Sequence, residues 1–119
     1  MLIEVISPNF VFEDERGCLT QLVREGYRQV NFITSKKGVK RGGHYHKLNE
    51  ELFYIISGKL TLSVQKGKVK EVYRFKKGDM FKIGPKVIHS FEFEANTFLI
   101  SLYSRGVELP GGKKDIFAK

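Results

Sequence analysis

One cysteine, Cys18, is all the 119-residue chain contains, so no internal disulfide staples its fold. No apolar run approaches the length of a membrane span, and the start, MLIEVISPNFVFEDERG, has no charged segment leading into a long apolar stretch. A soluble, cytoplasmic protein with no membrane partner is therefore expected. Low-complexity tracts, linkers and internal repeats are missing as well, which excludes a disordered chain, a tandem of modules and a solenoid. At this length the chain can bury one real core but not two, so residues 1–119 are read as a single domain.

Clustered charge is absent too. The balance of 21 Lys and Arg against 13 Asp and Glu gives a net charge of +8, yet the lysines fall singly or in pairs (SKKG, KGKVK, KKG, GGKK), mostly beside glycine. A nucleic-acid surface needs a patch, and this spacing supplies turns instead, so no nucleic-acid partner is expected. A diffuse positive field does suit a small anionic substrate that carries phosphates.

Helix signals are nearly absent, and strand signals fill their place. Residues 28–35, 52–75, 80–84, 89–95 and 97–104 are short stretches rich in Val, Ile, Phe, Tyr and Thr, separated by glycine, proline or a lysine–glycine pair. Leu60, Leu62 and Val64 alternate with Thr61, Ser63 and Gln65, the period of a half-buried strand. Residues 65–69 (QKGKV) then predict a hairpin turn with a returning strand, and FEDERGCLTQLV (12–23) two strand pieces around a charged turn at Glu13–Gly17. Many short antiparallel strands predict an all-β sandwich or barrel. The end, GVELPGGKKDIFAK, reads either as a loose tail or as a segment that packs on a partner subunit.

The three histidines carry the chemistry. From Gly38 the chain runs five residues to His44, one to His46, four to Glu51 and six to Gly58. Strand alternation points His44 and His46 to the same side, and Glu51 begins the next strand across a short turn. His89, eleven residues after Gly78, follows a strand and a proline-containing turn that return the chain to the same mouth. A single histidine on a strand is usually core or surface. Phe53, Tyr54, Phe91 and Phe93 read most simply as core and interface, Gly78 and Asp79 as a turn, and Glu50 as solvated.

This layout resembles the cupin superfamily, whose first motif is glycine, five residues, His-x-His, three or four residues, Glu, six residues, Gly, and whose second runs from a glycine through a proline to a histidine. Pro85 is displaced by one position from that pattern, and Phe93 stands where asparagine is frequent. The resemblance spans about residues 28–104 and implies a single-domain cupin β-barrel, a double-stranded β-helix or jelly roll. Asp14, Arg16 and Gly17, then Arg41, Gly42, His44, Tyr45, His46 and Lys47, are similar to motifs of the RmlC-like, nucleotide-sugar branch, the dTDP-4-dehydrorhamnose 3,5-epimerases and the 3,4-ketoisomerases.

That branch implies an epimerase or 3,4-ketoisomerase acting on a dTDP- or UDP-linked 4-keto-6-deoxy sugar for cell-surface polysaccharide, by removal and return of a proton beside a ketone. By match to the motif, His44 is the candidate base, His46 a partner acid or base, and Tyr103 a candidate acid. Arg41 is the candidate for the substrate pyrophosphate, with Arg16 and Lys47 as secondary candidates. Ketoisomerases commonly carry glutamine where this chain has Glu51 and work without a metal. Here Glu51 completes with His44, His46 and His89 a set suited to one divalent Zn, Mn, Fe or Ni ion, as in the zinc-bearing cupin of capsular-polysaccharide reductases. The tyrosine-rich acidic segment of the ketoisomerases is missing. The expected cofactor is thus none, or one divalent metal, and a homodimer is expected because a barrel of this size has edges to cover. The alternatives are a metal-dependent dioxygenase or isomerase on a non-sugar substrate, and a sugar-binding cupin without turnover.

Overall fold

A computed structural model describes residues 1–119. The chain is all-β, and two five-stranded antiparallel sheets face each other as a sandwich. The strands are β1 (Ile3–Ile6), β2 (Phe10–Asp14), β3 (Gly17–Gln21), β4 (Gln29–Ser35), β5 (Lys40–Tyr45), β6 (Glu51–Ser57), β7 (Lys59–Lys66), β8 (Val69–Lys76), β9 (Met80–Ile83), β10 (Ile88–Phe93), β11 (Thr97–Tyr103) and β12 (Phe117–Ala118). One sheet has the order β1-β9-β6-β11-β4 and the other β12-β5-β10-β7-β8, while β2 and β3 form a separate hairpin. No helix is long and apolar enough to cross a membrane.

Alternation builds the core. Leu60, Leu62 and Val64 of β7 are buried, as the sequence pattern predicts, and they meet Phe53, Ile55, Phe81 and Leu99 from the opposite sheet. Phe81 stacks between Phe75 at 4.1 Å and Phe53 at 5.0 Å. The QKGKV turn joins β7 to β8 with Lys66 opposite Val69, as expected of a two-residue hairpin loop. Gly58, which closes the first histidine motif, has φ +95°, and a Cβ there would meet the backbone of Asn96 at 2.5 Å and Thr97 at 2.7 Å. Only glycine lets the chain turn from β6 into β7 against that backbone.

Two segments differ from the sequence reading. Ile3–Ile6 forms β1, which pairs with β9, although four residues carry too little pattern to stand out. The last residues are not a loose tail. They fold back on their own chain, with Phe117 opposite Tyr45 and Ala118 opposite His44, and Asp115 is buried. Tyr45 points away from its histidine neighbours and stacks on Phe117 at 5.5 Å.

Candidate functional site

Both sheets contribute a cross-strand pair to one end of the sandwich. His44 of β5 stands opposite His89 of β10 in one sheet, and Glu51 of β6 stands opposite Tyr103 of β11 in the other. The strand register, not loop conformation, therefore sets most of the site. His46 lies one residue beyond β5, on the same side as His44, and the three imidazole rings are 4.8 to 5.5 Å apart between centroids.

The inner part of this cluster is buried. His46, His89 and Glu51 are each no more than 3 % exposed, whereas His44 is half-buried. Nδ1 of His46 donates to the Asp115 carbonyl at 2.6 Å, and Nδ1 of His89 donates to the Val87 carbonyl at 3.1 Å. A carbonyl only accepts, so both rings carry a proton on Nδ1 and turn Nε2 inward. The two Nε2 atoms lie 3.2 and 3.3 Å from the same Glu51 oxygen, Oε1, and none of these three atoms has a hydrogen-bond partner. Two imidazole lone pairs facing a carboxylate in a buried site call for a cation between them or for protonated imidazole. Ligand atoms that share one divalent ion with bonds of about 2.1 Å are themselves roughly 3.0 to 3.4 Å apart, so the residues fit a metal. The ligand nitrogens of His44, His46 and His89 also lie within 4.8 Å of one another.

Electrostatics separates the four groups. Burial lowers the His44 pKa to about 4, with help from His89 and His46, so its imidazole is neutral at neutral pH. Burial works against charge on His46 as well, but Glu51 and the Asp115 carbonyl outweigh it and raise its pKa above the usual histidine value. For Glu51 burial pushes the carboxyl up, and His46 and His89 outweigh it and hold the group below the usual carboxylate range. The Tyr103 hydroxyl is pushed well above the ordinary phenol range, first by burial and then by the charge of Glu51, so it keeps its proton.

A cavity of about 400 Å³ opens onto this cluster, and His44, His89, Glu51 and Tyr103 line it together with Arg41 and Lys40. Phe53, Phe91, Phe93, Ile33 and Leu99 supply an apolar wall. Arg41 donates through Nε to the Ser35 hydroxyl at 2.8 Å and through one terminal nitrogen to the Thr34 carbonyl at 3.3 Å, which anchors the guanidinium at the mouth with donors to spare. Phe53, Phe91 and Phe93 are buried, as read from the sequence, and Phe93 closes the wall where the family pattern has asparagine. Strand alternation sends Glu50 away from Glu51, and its carboxylate faces Lys82 at 3.5 Å and the Tyr27 hydroxyl.

Three expected site residues do not line the cavity. Arg16 is in the β2–β3 hairpin, paired with Asp14 at 2.6 Å and largely exposed, because that hairpin is a separate small sheet and not a wall of the cavity. Lys47 lies outside the cavity with its ammonium over the Phe117 ring at 4.3 Å, since the loop after His46 turns toward the C-terminal segment. His46 belongs to the buried cluster but does not line the cavity. Lys40, by contrast, reaches the cavity although no motif in the sequence includes it. Its neighbour Arg41 supplied the only local signal.

Comparison with known proteins agrees with this architecture. Residues 12–100 match the family described as polysaccharide biosynthesis C-terminal domain. No curated protein sequence matches the chain. Among solved structures, a mutant of the 3,4-ketoisomerase QdtA from Thermoanaerobacterium thermosaccharolyticum in complex with TDP-4-keto-6-deoxyglucose is similar at TM-score 0.80 and 20% identity, covering 99% of this chain and 88% of that one. The TDP-quinovose 3,4-ketoisomerase WlaRB from Campylobacter jejuni is similar at TM-score 0.78 and 20% identity, over 95% of this chain and 92% of that one. The dTDP-4-dehydrorhamnose 3,5-epimerase from Sulfolobus tokodaii is similar at TM-score 0.72 and 22% identity, over 87% and 70%. These likenesses show a shared RmlC-like cupin fold.

Proposed function

The chain belongs to the polysaccharide biosynthesis C-terminal domain family, and we propose that it is an isomerase or epimerase of a nucleotide-linked 4-keto-6-deoxy sugar. The observation that carries this reading is the meeting of His44, Tyr103 and Arg41 on one cavity of about 400 Å³. That cavity is sized for a sugar ring, walled on one side by aromatics, and basic at its mouth.

In this reading Arg41, with Lys40 beside it, holds the pyrophosphate at the rim, where paired guanidinium donors suit phosphate oxygens. The sugar then extends inward toward the histidines. Neutral His44 takes the proton from the carbon beside the ketone, leaving an enolate. Tyr103, which retains its proton, faces the enolate oxygen and supplies a hydrogen bond or the proton itself. Return of the proton to the opposite face gives epimerisation. Transfer of the hydroxyl proton between the two oxygens, with delivery to the neighbouring carbon, gives the shifted ketone. The apolar wall excludes water from the enolate and strengthens the Tyr103 contact.

The unpartnered Nε2 atoms of His46 and His89 favour a second reading, in which His44, His46, Glu51 and His89 hold a divalent metal. A metal there would supply Lewis-acid stabilisation of negative charge on a bound oxygen, on a sugar or another small molecule. One experiment separates the readings. Incubation of the purified protein with dTDP-4-keto-6-deoxyglucose in deuterium oxide is expected to place deuterium beside the ketone, by NMR, and to do so unchanged after chelator treatment. Loss of exchange on chelation, restored by one metal, supports the second reading. The absence of exchange with dTDP- and UDP-4-keto sugars, with or without metal, overturns the sugar assignment.

A further inference from the structure

The C-terminal segment holds a buried carboxylate that the chemistry above does not use. Asp115 is 2 % exposed and has no cationic partner. Its Oδ1 accepts from the Lys47 amide at 2.8 Å, and its Oδ2 accepts from the amides of Leu48 and Asn49, each at 3.0 Å, and from the Asn49 side-chain amide at 2.7 Å. These are the residues that carry the chain from His46 in one sheet to Glu51 in the other. Asn49 extends the tie, because its Oδ1 accepts from the Arg105 and Gly106 amides and its Nδ2 donates to the Gly106 carbonyl, just past Tyr103. The main chain of Asp115 meanwhile accepts from His46 Nδ1 at 2.6 Å.

We propose that Asp115 is a positioning residue for the histidine–glutamate cluster, in which its carbonyl fixes the His46 tautomer while its carboxylate clamps the 47–49 connection that sets His46 against Glu51. Unconstrained neutral histidine prefers the proton on Nε2, which here would point an N–H into the cluster and remove the inward lone pair. The Asp115 carbonyl reverses that preference. A carboxylate suits the clamp because it only accepts, and all four groups around it donate. A hydrogen-bonded second partner of this kind is how proteins orient imidazoles that must present one nitrogen to an ion or a reacting group. The C-terminal residues thereby become part of the site although none of them lines the cavity. As an account of catalysis this rests on the enolisation reading, whereas the tautomer assignment stands apart from it.

The test is a long-range imidazole ¹H–¹⁵N correlation spectrum of the full chain at mildly alkaline pH, for the wild type, Asp115→Ala and Asp115→Asn. In the wild type His46 is expected to carry its proton on Nδ1. The variants keep the carbonyl but lose the carboxylate clamp that holds residues 47–49 and the Asp115 main chain together, so the carbonyl draws away from His46 and the signal shifts toward the Nε2–H form, while His89, held by the Val87 carbonyl, stays as it was. Deuterium exchange into the 4-keto sugar is expected to fall about 10- to 100-fold in kcat, with KM little changed. A purely structural role would lower the melting temperature and leave the tautomer alone. Asp115→Asn keeps the size of the side chain and decides the matter where Asp115→Ala does not fold. A wild-type His46 protonated on Nε2, or a folded variant with an unchanged tautomer, overturns the proposal. If no nucleotide sugar exchanges, the enolisation reading fails and the spectra still decide the role of Asp115.

Discussion

Gly42 lies so close to His89 that a Cβ on it would stand 2.6 Å from the His89 carbonyl oxygen and 2.9 Å from Ser90 Cα. Its φ is +106°, and the pairing of β5 with β10 shifts register between His89 and Ser90, at this spot. The glycine thus permits the irregularity that brings His44 opposite His89. Gly42→Ala is expected to cost at least about 2 kcal/mol. Urea unfolding checks the stability, and a deuterium-exchange assay shows whether the displaced His44 has lost turnover beyond the stability loss.

His44 is the one histidine that is half-buried and lines the cavity. His44→Asn is expected to keep the fold and to lower deuterium exchange into a 4-keto sugar by about 10²- to 10⁴-fold, the usual contribution of a general base. Full exchange in a folded His44→Asn protein would remove this residue from the chemistry.

Arg41 should act on binding more than on turnover. Arg41→Ala is expected to raise KM by about 10- to 100-fold, the worth of charge-assisted hydrogen bonds to phosphate, with a small change in kcat. Steady-state kinetics, with binding of the free nucleotide diphosphate measured by calorimetry, separates this from a general loss of structure.

Asp115 predicts a pH dependence of stability. Burial pushes its carboxyl up, but the Lys47 amide, the Asn49 side chain and the Leu48 and Asn49 amides outweigh it and hold its pKa below the ordinary 3.8. The group therefore stabilises the fold above that ordinary value, and the contribution disappears as pH falls through the lowered one. The gap in unfolding free energy between wild type and Asp115→Asn is expected to be widest near neutral pH and to close in acid. Urea titrations at pH 7 and at progressively lower pH measure it.

The outer face of β4 and β11 exposes Val30, Phe32 and Phe98, with the two phenylalanine rings 6.0 Å apart at the edge of the first sheet. A bare edge strand with an apolar face is a site of self-association. A homodimer is expected by sedimentation equilibrium, and Phe32→Glu is expected to shift it to monomer while the circular dichroism spectrum is kept.

Much of this molecule could be read from local pattern. Alternation in KLTLSVQ exposed which side of β7 is core, and the spacing of His44, His46, Glu51 and His89 marked one cluster, because strand geometry turns a two-residue interval into a shared face. Those are short-range rules, and they held wherever neighbours in sequence decide orientation. Tertiary structure alone decided the rest. Arg16 reads like a site residue, yet its hairpin stands apart from the cavity. Asp115 gives no sign of its role, because its amide partners lie 66 to 68 residues away and a buried carboxylate is recognised by the donors that the fold brings to it. Sequence spacing determined which side chains share a strand face, and only the packing of two sheets and a returning C-terminal segment determined which of them meet.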